Sequence, residues 1–255
     1  MWKFFEEGEK MAIKILHLYN NLMNLYGEYA NVSILARHLS QQGLEAEITR
    51  TDSCSYVSLD DFDFIYIGSG TEAAQKKALA DLMNKKDEFC AAAKSGKAML
   101  LTGNAFEMLG KSVTDAYGKR YEALGLCDFE TTESYEKRLT GDAICKCDFL
   151  PEPFVGFINK CSTTTRTENP LFTMQMGYAN NTSEPYEGCR FNNVFATHLI
   201  GPVLVKNPHF TAYIIKLITR DIKGFEYKEV INQYEQGSYE ITLRELRNRL
   251  NKSAD

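Results

Sequence analysis

The sequence predicts an α/β fold: a mostly parallel central sheet with helices on both faces, plus an antiparallel extension. Three observations carry this. Strand-like apolar runs alternate with helical spacing through residues 13–110, the pattern of parallel strands joined by crossover helices. The run Ala98-Met99-Leu100-Leu101 is apolar without alternation, as a strand buried on both faces requires. From Leu139 onward the pieces are shorter and β-like, separated by Pro, Asn, Thr and Gly turns, which marks antiparallel structure.

Taken in order, the first strand covers residues 13–19. A helix over 31–42 follows, with Val32, Leu35 and Leu39 on one face and Gly43 ending it. Residues 45–49 and 62–67 read as the second and third strands, and the third runs into Gly68-Ser69-Gly70. One long helix is expected over 73–95, then the strand ending at Thr102. Further β pieces are expected at 143–149, 154–159, 174–177 and 193–199, with a helix over 208–219. The tail spaces Leu243, Leu246 and Leu250 helically but is otherwise polar. It reads as a docking helix or a solvated terminal helix, and the polarity favours the second. The expected organisation is an N-terminal extension over 1–12, a folded domain over 13–220 and a helical tail over 221–255.

Composition narrows the function classes. With 255 residues, 44% of them hydrophobic, the chain can bury a large core. A net charge of -5 argues against nucleic acid or an anionic membrane as the main partner. No run is long enough to span a bilayer and the opening lacks the features of a signal peptide, so a cytoplasmic location is expected. The seven cysteines are odd in number and lack zinc-site spacing, which implies a reducing compartment and no metal site. Cys145 and Cys147 read as packing residues. No phosphate-binding G-x-x-x-x-G-K-[ST] segment is present, and no cofactor is expected.

Residues 97–110 have the layout of a strand, a sharp turn and a helix, as at a nucleophile elbow. In such elbows the turn residue is held in a strained conformation, and its side chain projects into a cleft beside free amide groups. Here that residue is Gly103, which has no side chain. On these residues alone, an ordinary strand-to-helix turn is the simpler reading.

Other segments add a resemblance. Asn24-Leu25-Tyr26-Gly27-Glu28, Gly68-Ser69-Gly70, Met108-Leu109-Gly110, Gly156-Phe157-Ile158-Asn159 and Gly201-Pro202 with Asn207-Pro208 occur in this order. Together they resemble the class I glutamine amidotransferases of the cobyric acid synthase type, which have a flavodoxin-like core. Within that group the pattern is most similar to the glutaminase subunits of lipid II isoglutaminyl synthase. The resemblance implies a cysteine at the elbow, a histidine just before the Gly-Pro pair, glutamine as the small-molecule ligand, and an ATP-dependent, Mur ligase-like synthetase subunit as partner. Aligned on the flanking motifs, the cysteine falls on Gly103 and the histidine on Ile200. The Gly-Gly that follows the cysteine becomes Asn104-Ala105, and the usual Gly-Gly-Gly-Gln turn becomes Gly68-Ser69-Gly70-Thr71.

The expected pocket is therefore lined by Gly68, Ser69, Gly70, Gly103, Asn104, Ala105, His198 and Ile200, with no catalytic residue assigned. His198, two residues before Ile200, would share its face of one strand but sit roughly 6–7 Å away, as a structural histidine at the cleft rim. Thr102 should face away from the elbow, and Cys90, Cys161 and Cys189 have no assigned place at a nucleophile position. Three functions remain open. The leading one is a degenerate subunit that scaffolds or regulates an amidating synthetase of peptidoglycan precursors. The second is an active amidotransferase with a relocated nucleophile, supplying ammonia for lipid II or cobyric acid amidation. The third is a small-molecule binding module.

Overall fold

The computed structural model describes residues 12–165, 167–230 and 232–252. Residues 1–11, nearly all of the expected N-terminal extension, lie outside the described residues.

In chain order the strands are β1 (Ala12–Leu18), β2 (Glu45–Thr51), β3 (Phe64–Ile67), β4 (Ala98–Thr102), β5 (Ser112–Thr114), β6 (Arg120–Glu122), β7 (Glu130–Glu133), β8 (Leu139–Lys146), β9 (Phe154–Lys160), β10 (Ser162–Thr164), β11 (Phe172–Met176), β12 (Tyr186–Glu187), β13 (Cys189–Phe191), β14 (Val194–Thr197) and β15 (Leu199–Ile200). The helices are α1 (Tyr29–Gln41), α2 (Glu72–Met83), α3 (Lys86–Lys94), α4 (Val203–Lys206), α5 (Pro208–Thr219) and α6 (Gln233–Lys252).

The central sheet has the order β13-β14-β4-β3-β1-β2. Its pairs are parallel from β14 through β2, and β13 closes one edge antiparallel. Side chains alternate between two cores, as the twofold period of a strand dictates. Ile13, Ile15, Phe64, Tyr66 and Leu100 pack under α1 and α5, with Leu35, Leu39, Phe210 and Ile214. Leu16, Leu18, Ile65, Ile67, Met99 and Leu101 pack under α2 and α3, with Leu79, Leu82 and Phe89. Burying a Leu or Phe side chain in this way is worth about 1.5–3 kcal/mol. The fold is thus α/β with helices on both faces.

The antiparallel extension forms a five-stranded sheet, β12-β11-β8-β9-β15, and a four-stranded one, β10-β7-β5-β6, in which only β5 and β7 run parallel.

Four expectations need correction. The single helix over 73–95 is two helices, α2 and α3, broken at Asn84 and Lys85. Asn84 turns its side-chain amide back to the Ala80 carbonyl at 3.4 Å, the competition with backbone bonding that makes Asn a poor interior helix residue. The segment after Gly103 is a 3-10 helix over Gly103–Leu109 rather than an α-helix. The strand over 193–199 is two strands in different sheets, since β14 pairs with β4 and β15 with β9. Finally, the tail is not solvated. α6 buries Tyr239, Leu243 and Leu246 against Ile144 and Val155. Its position is fixed by His38 Nε2 to Glu235 Oε2 at 2.7 Å, Arg249 to Asp142 at 2.9 Å, and the Tyr239 hydroxyl donating to the Pro153 carbonyl at 2.7 Å. Among the described residues no helix is long and apolar enough to cross a membrane.

Candidate functional site

In open parallel sheets, ligands bind beyond the carboxyl ends of the strands, where the strand order reverses. Here that point lies between β1 and β3, and the loops after β1, β3 and β4 meet there. Gly103 leaves β4 with φ +59°, in the left-handed region, so the elbow geometry is present. Two side chains converge on it. A Cβ built at Gly103 would overlap both the Oγ and the Cβ of Ser69, and would lie 3.1 Å from Ile200 Cγ2. The space into which an elbow side chain would project is therefore filled by Ser69, with Ile200 closing the other side.

Asn104 completes the closure. Its Oδ1 accepts the Gly70 N–H at 3.0 Å and the Ser69 hydroxyl at 3.4 Å, while its amide donates to the Gly70 carbonyl at 3.0 Å. Gly68 is required by close approach: a Cβ there would collide with the Met23 carbonyl and lie 2.7 Å from Glu28 Cβ. Behind the elbow, Glu28 is fully buried. It accepts hydrogen bonds from Thr102 at 2.6 Å, from Tyr66 and from Asn31. Burial raises the Glu28 carboxyl above the usual range, and the bonds from Thr102 and Tyr66 only partly offset it. Thr102 thus faces Glu28, on the side away from Ser69.

In front of this plug a cavity of about 280 Å³ remains open. Of the expected pocket residues, Ser69, Gly70 and Asn104 line it. Gly103 and Ile200 meet each other beneath Ser69, Gly68 packs on Glu28, and Ala105 is buried in the core under α2. His198 is not at a rim. It is 2% exposed, in the turn where the chain leaves the central sheet between β14 and β15. Glu187 makes that turn: it accepts from Thr197 Oγ1 and from the His198 amide, both at 2.6 Å, and lies 3.2 Å from His198 Nδ1. The other ring nitrogen faces Glu107 Oε1 at 3.3 Å, and Phe106 packs edge-on against the ring. His198 and Ile200 therefore do not share one strand face.

Sequence reasoning missed much of the cavity wall. Tyr26, Glu72, Glu107, Glu133, Arg138, Lys160, Cys161 and Ser162 all line it. Glu107 follows the elbow by four residues and Tyr26 lies in a quoted motif after β1; Glu72 opens α2, and Glu133, Arg138, Lys160, Cys161 and Ser162 come from the antiparallel extension and carried no local signal. Asn159, quoted only as part of a motif, lines the cavity and donates to the Tyr26 hydroxyl at 2.8 Å. Burial opposes ionisation of Glu107, yet hydrogen bonds from His198, Ser162 and Gln75 overcome it and hold the carboxyl below its ordinary value. Glu72 pairs with Arg138, and Glu133 with Lys76.

Of the cysteines left without a place, Cys161 lines the cavity, whereas Cys90 is on α3 and Cys189 on β13. The Cys161 thiol donates to Glu72 at 3.2 Å. Burial, with the Glu72 carboxylate, pushes it up to about 12. At neutral pH it is a thiol rather than the nucleophilic thiolate. Cys145 is buried in β8, and Cys147 packs half-buried beyond its end.

The profile of the CobB/CobQ-like glutamine amidotransferase domain matches residues 14–208. The chain is similar to the lipid II isoglutaminyl synthase (glutamine-hydrolyzing) subunit GatD of Staphylococcus aureus strain N315, with 29% identity over 91% of this chain and 95% of that one. It is also similar to the corresponding subunit of Streptococcus pneumoniae strain ATCC BAA-255 / R6, with 27% identity over 87% of this chain and 88% of that one. Among solved structures, a glutamine amidotransferase crystal structure superposes with a TM-score of 0.54 at 16% identity, covering 80% of this chain and 98% of the other.

Proposed function

The chain belongs to the CobB/CobQ-like glutamine amidotransferase family, and from that we propose that it is a catalytically degenerate subunit that scaffolds or regulates an ATP-dependent synthetase amidating a peptidoglycan precursor in the cytoplasm. The observation that carries the proposal is the filling of the elbow space by Ser69. Glutamine hydrolysis of this class needs a thiolate at the elbow, a base beside it and free N–H donors for the oxyanion. In this chain the elbow carries a hydrogen atom, the base position carries the Ile200 side chain, and the Gly70 N–H is taken up by Asn104. Loss of a covalent nucleophile alone lowers turnover by about a millionfold, or about 8 kcal/mol of barrier. The partner assignment rests on the two similar proteins, whose names describe them as subunits of a lipid II-amidating synthase.

The test is glutamine hydrolysis by the purified chain, alone and with a co-purified synthetase subunit. Background rates are expected in both. Turnover within about a hundredfold of active family members would overturn the proposal, since that gap is far smaller than the nucleophile's contribution.

One observation favours a second reading: Cys161 is a thiol in the cavity wall. A glutamine-like electrophile followed by peptide mapping tests it, and a Cys161 adduct would support relocated chemistry. Its high pKa speaks against this. The open cavity also suits a small-molecule sensor, for which calorimetric titration with glutamine and related amides is the direct measurement.

A further inference from the structure

Away from the cavity, two thiols face each other. Cys127 Sγ and Cys189 Sγ are 3.4 Å apart, while a disulfide needs about 2.05 Å. Both backbones are held. The Cys127 N–H donates to the Leu109 carbonyl at 2.9 Å, at the end of the elbow's 3-10 segment. Cys189 sits in the β13–β14 ladder opposite Ala196. Neighbouring bonds from Leu124 to Met108 and from Gly125 to Gly110 strap the rest of the loop to the same segment. The sulfurs therefore stay in register, and side-chain rotation supplies most of the remaining approach. Cys127 is half-buried, whereas Cys189 is buried.

We propose that Cys127 and Cys189 form a peroxide-sensitive thiol pair, in which Cys127 is the attacking sulfur and Cys189 resolves it to a disulfide. The Cys127 thiolate attacks one oxygen of a hydroperoxide. The O–O bond breaks, the other oxygen leaves as hydroxide or alkoxide, and Cys127 becomes a sulfenic acid. The Cys189 sulfur then attacks the Cys127 sulfur; the S–S bond forms, the S–O bond breaks, and the departing hydroxide takes the Cys189 proton and leaves as water. The two sulfurs supply the two electrons that reduce the peroxide. The hydrogen bond from Cys189 lowers the Cys127 thiol's pKa and raises that of Cys189 itself, which fits this division of roles. The cross-link would close a loop of chain carrying β7 to β12, including the Arg138, Lys160 and Cys161 wall of the cavity.

The experiment treats the full chain with a small molar excess of hydrogen peroxide, quenches with an alkylating agent under denaturing conditions, and counts free thiols. The seven thiols should fall to five, non-reducing peptide mapping should give a Cys127–Cys189 linked peptide, and dithiothreitol should restore all seven. Cys127→Ser should lose no thiol pair, and Cys189→Ser should stop at a Cys127 sulfenic acid that a dimedone probe captures. A linked peptide joining Cys127 to Cys90, whose sulfur is also close to the same loop, would overturn the pairing. Oxidation elsewhere with Cys127 untouched would overturn the whole proposal, as would resistance of all seven thiols.

Discussion

Gly103→Ala adds a single methyl group, and the structure fixes what that methyl meets. Two costs arise. Residue 103 has φ +59°, and holding a non-glycine residue there costs about 1–2 kcal/mol. The new Cβ also overlaps Ser69 Oγ and Ser69 Cβ. Rotating the hydroxyl does not relieve this, because the Ser69 Cβ itself is in the way and the serine backbone must move. Overpacking of this kind costs about 1–3 kcal/mol. The single substitution should therefore destabilise the fold by about 2–5 kcal/mol, the sum of these two terms. In a Ser69→Gly background the overlap with Ser69 is gone, leaving the backbone cost and a 3.1 Å approach to Ile200 Cγ2 that a small shift relieves. A double-mutant cycle read by urea denaturation should then show a coupling of about 1–3 kcal/mol, with the paired variant more stable than additivity allows. Additivity within about 0.5 kcal/mol would refute the placement of Ser69 in the elbow space. The same logic applies to Gly103→Cys: alone it should not restore glutamine hydrolysis, because its sulfur would have to displace Ser69.

Asn104→Gly should remove the clasp on Gly70, cost about 1–3 kcal/mol from its lost hydrogen bonds, and speed amide exchange of the Gly70 N–H; unchanged exchange would contradict the clasp. Leu246→Ala, at a side chain 4% exposed in the interface with Ile144 and Val155, should cost about 2–4 kcal/mol in the same denaturation assay, whereas a solvated helix would show almost no change. Burial, with Arg50, drives His17 down to about 4, and neither ring nitrogen has a partner. Between the unfolded value near 6.5 and the folded value near 4, the unfolded chain binds a proton that the folded chain refuses, so this contribution falls as pH drops through that window and levels off below it, by at most about 3 kcal/mol. His209, also held near 4 by burial, acts in the same direction. His17→Leu should remove about half of the combined slope measured between those pH values, and an unchanged slope would show that the histidine is solvated.

The parallel core was legible because each of its signals is local. Unbroken apolar strands, helical spacing and Gly43 at the end of α1 depend on a few consecutive residues, and helix α5 begins at Pro208 and ends at Thr219 as expected. The elbow was legible for the same reason, since one turn residue sets its geometry. Two failures were local, the break at Asn84 and the 3-10 segment after Gly103; the others depended on long-range partners. The break between β14 and β15 is imposed by Glu187, ten residues before Thr197 in the chain, and no pattern within residues 193–199 announces it. The docking of α6 depends on an apolar patch formed by Ile144 and Val155, which exists only after β8 and β9 pair. Most of the cavity wall is of this kind: Arg138, Lys160 and Cys161 are polar residues at strand ends and in loops, brought to Glu72 and Glu107 by the fold.

The plug and the cavity carry different implications. Removing an elbow side chain from a packed site leaves a void, and voids destabilise in proportion to their volume. Ser69 and Ile200 fill the space beside Gly103, as repacking for stability after the loss of chemistry would require. The same pressure should have closed the cavity in front of the plug with apolar side chains. It has not: Lys160 is buried and that burial pushes its amine down, and Glu107 and Glu133 are buried in the same wall. Each buried charge carries a desolvation penalty of several kcal/mol before compensation. Under the proposal that the elbow has lost its chemistry, a cavity that keeps these buried charges is what recognition of a ligand or partner there, rather than bond cleavage at the elbow, would require.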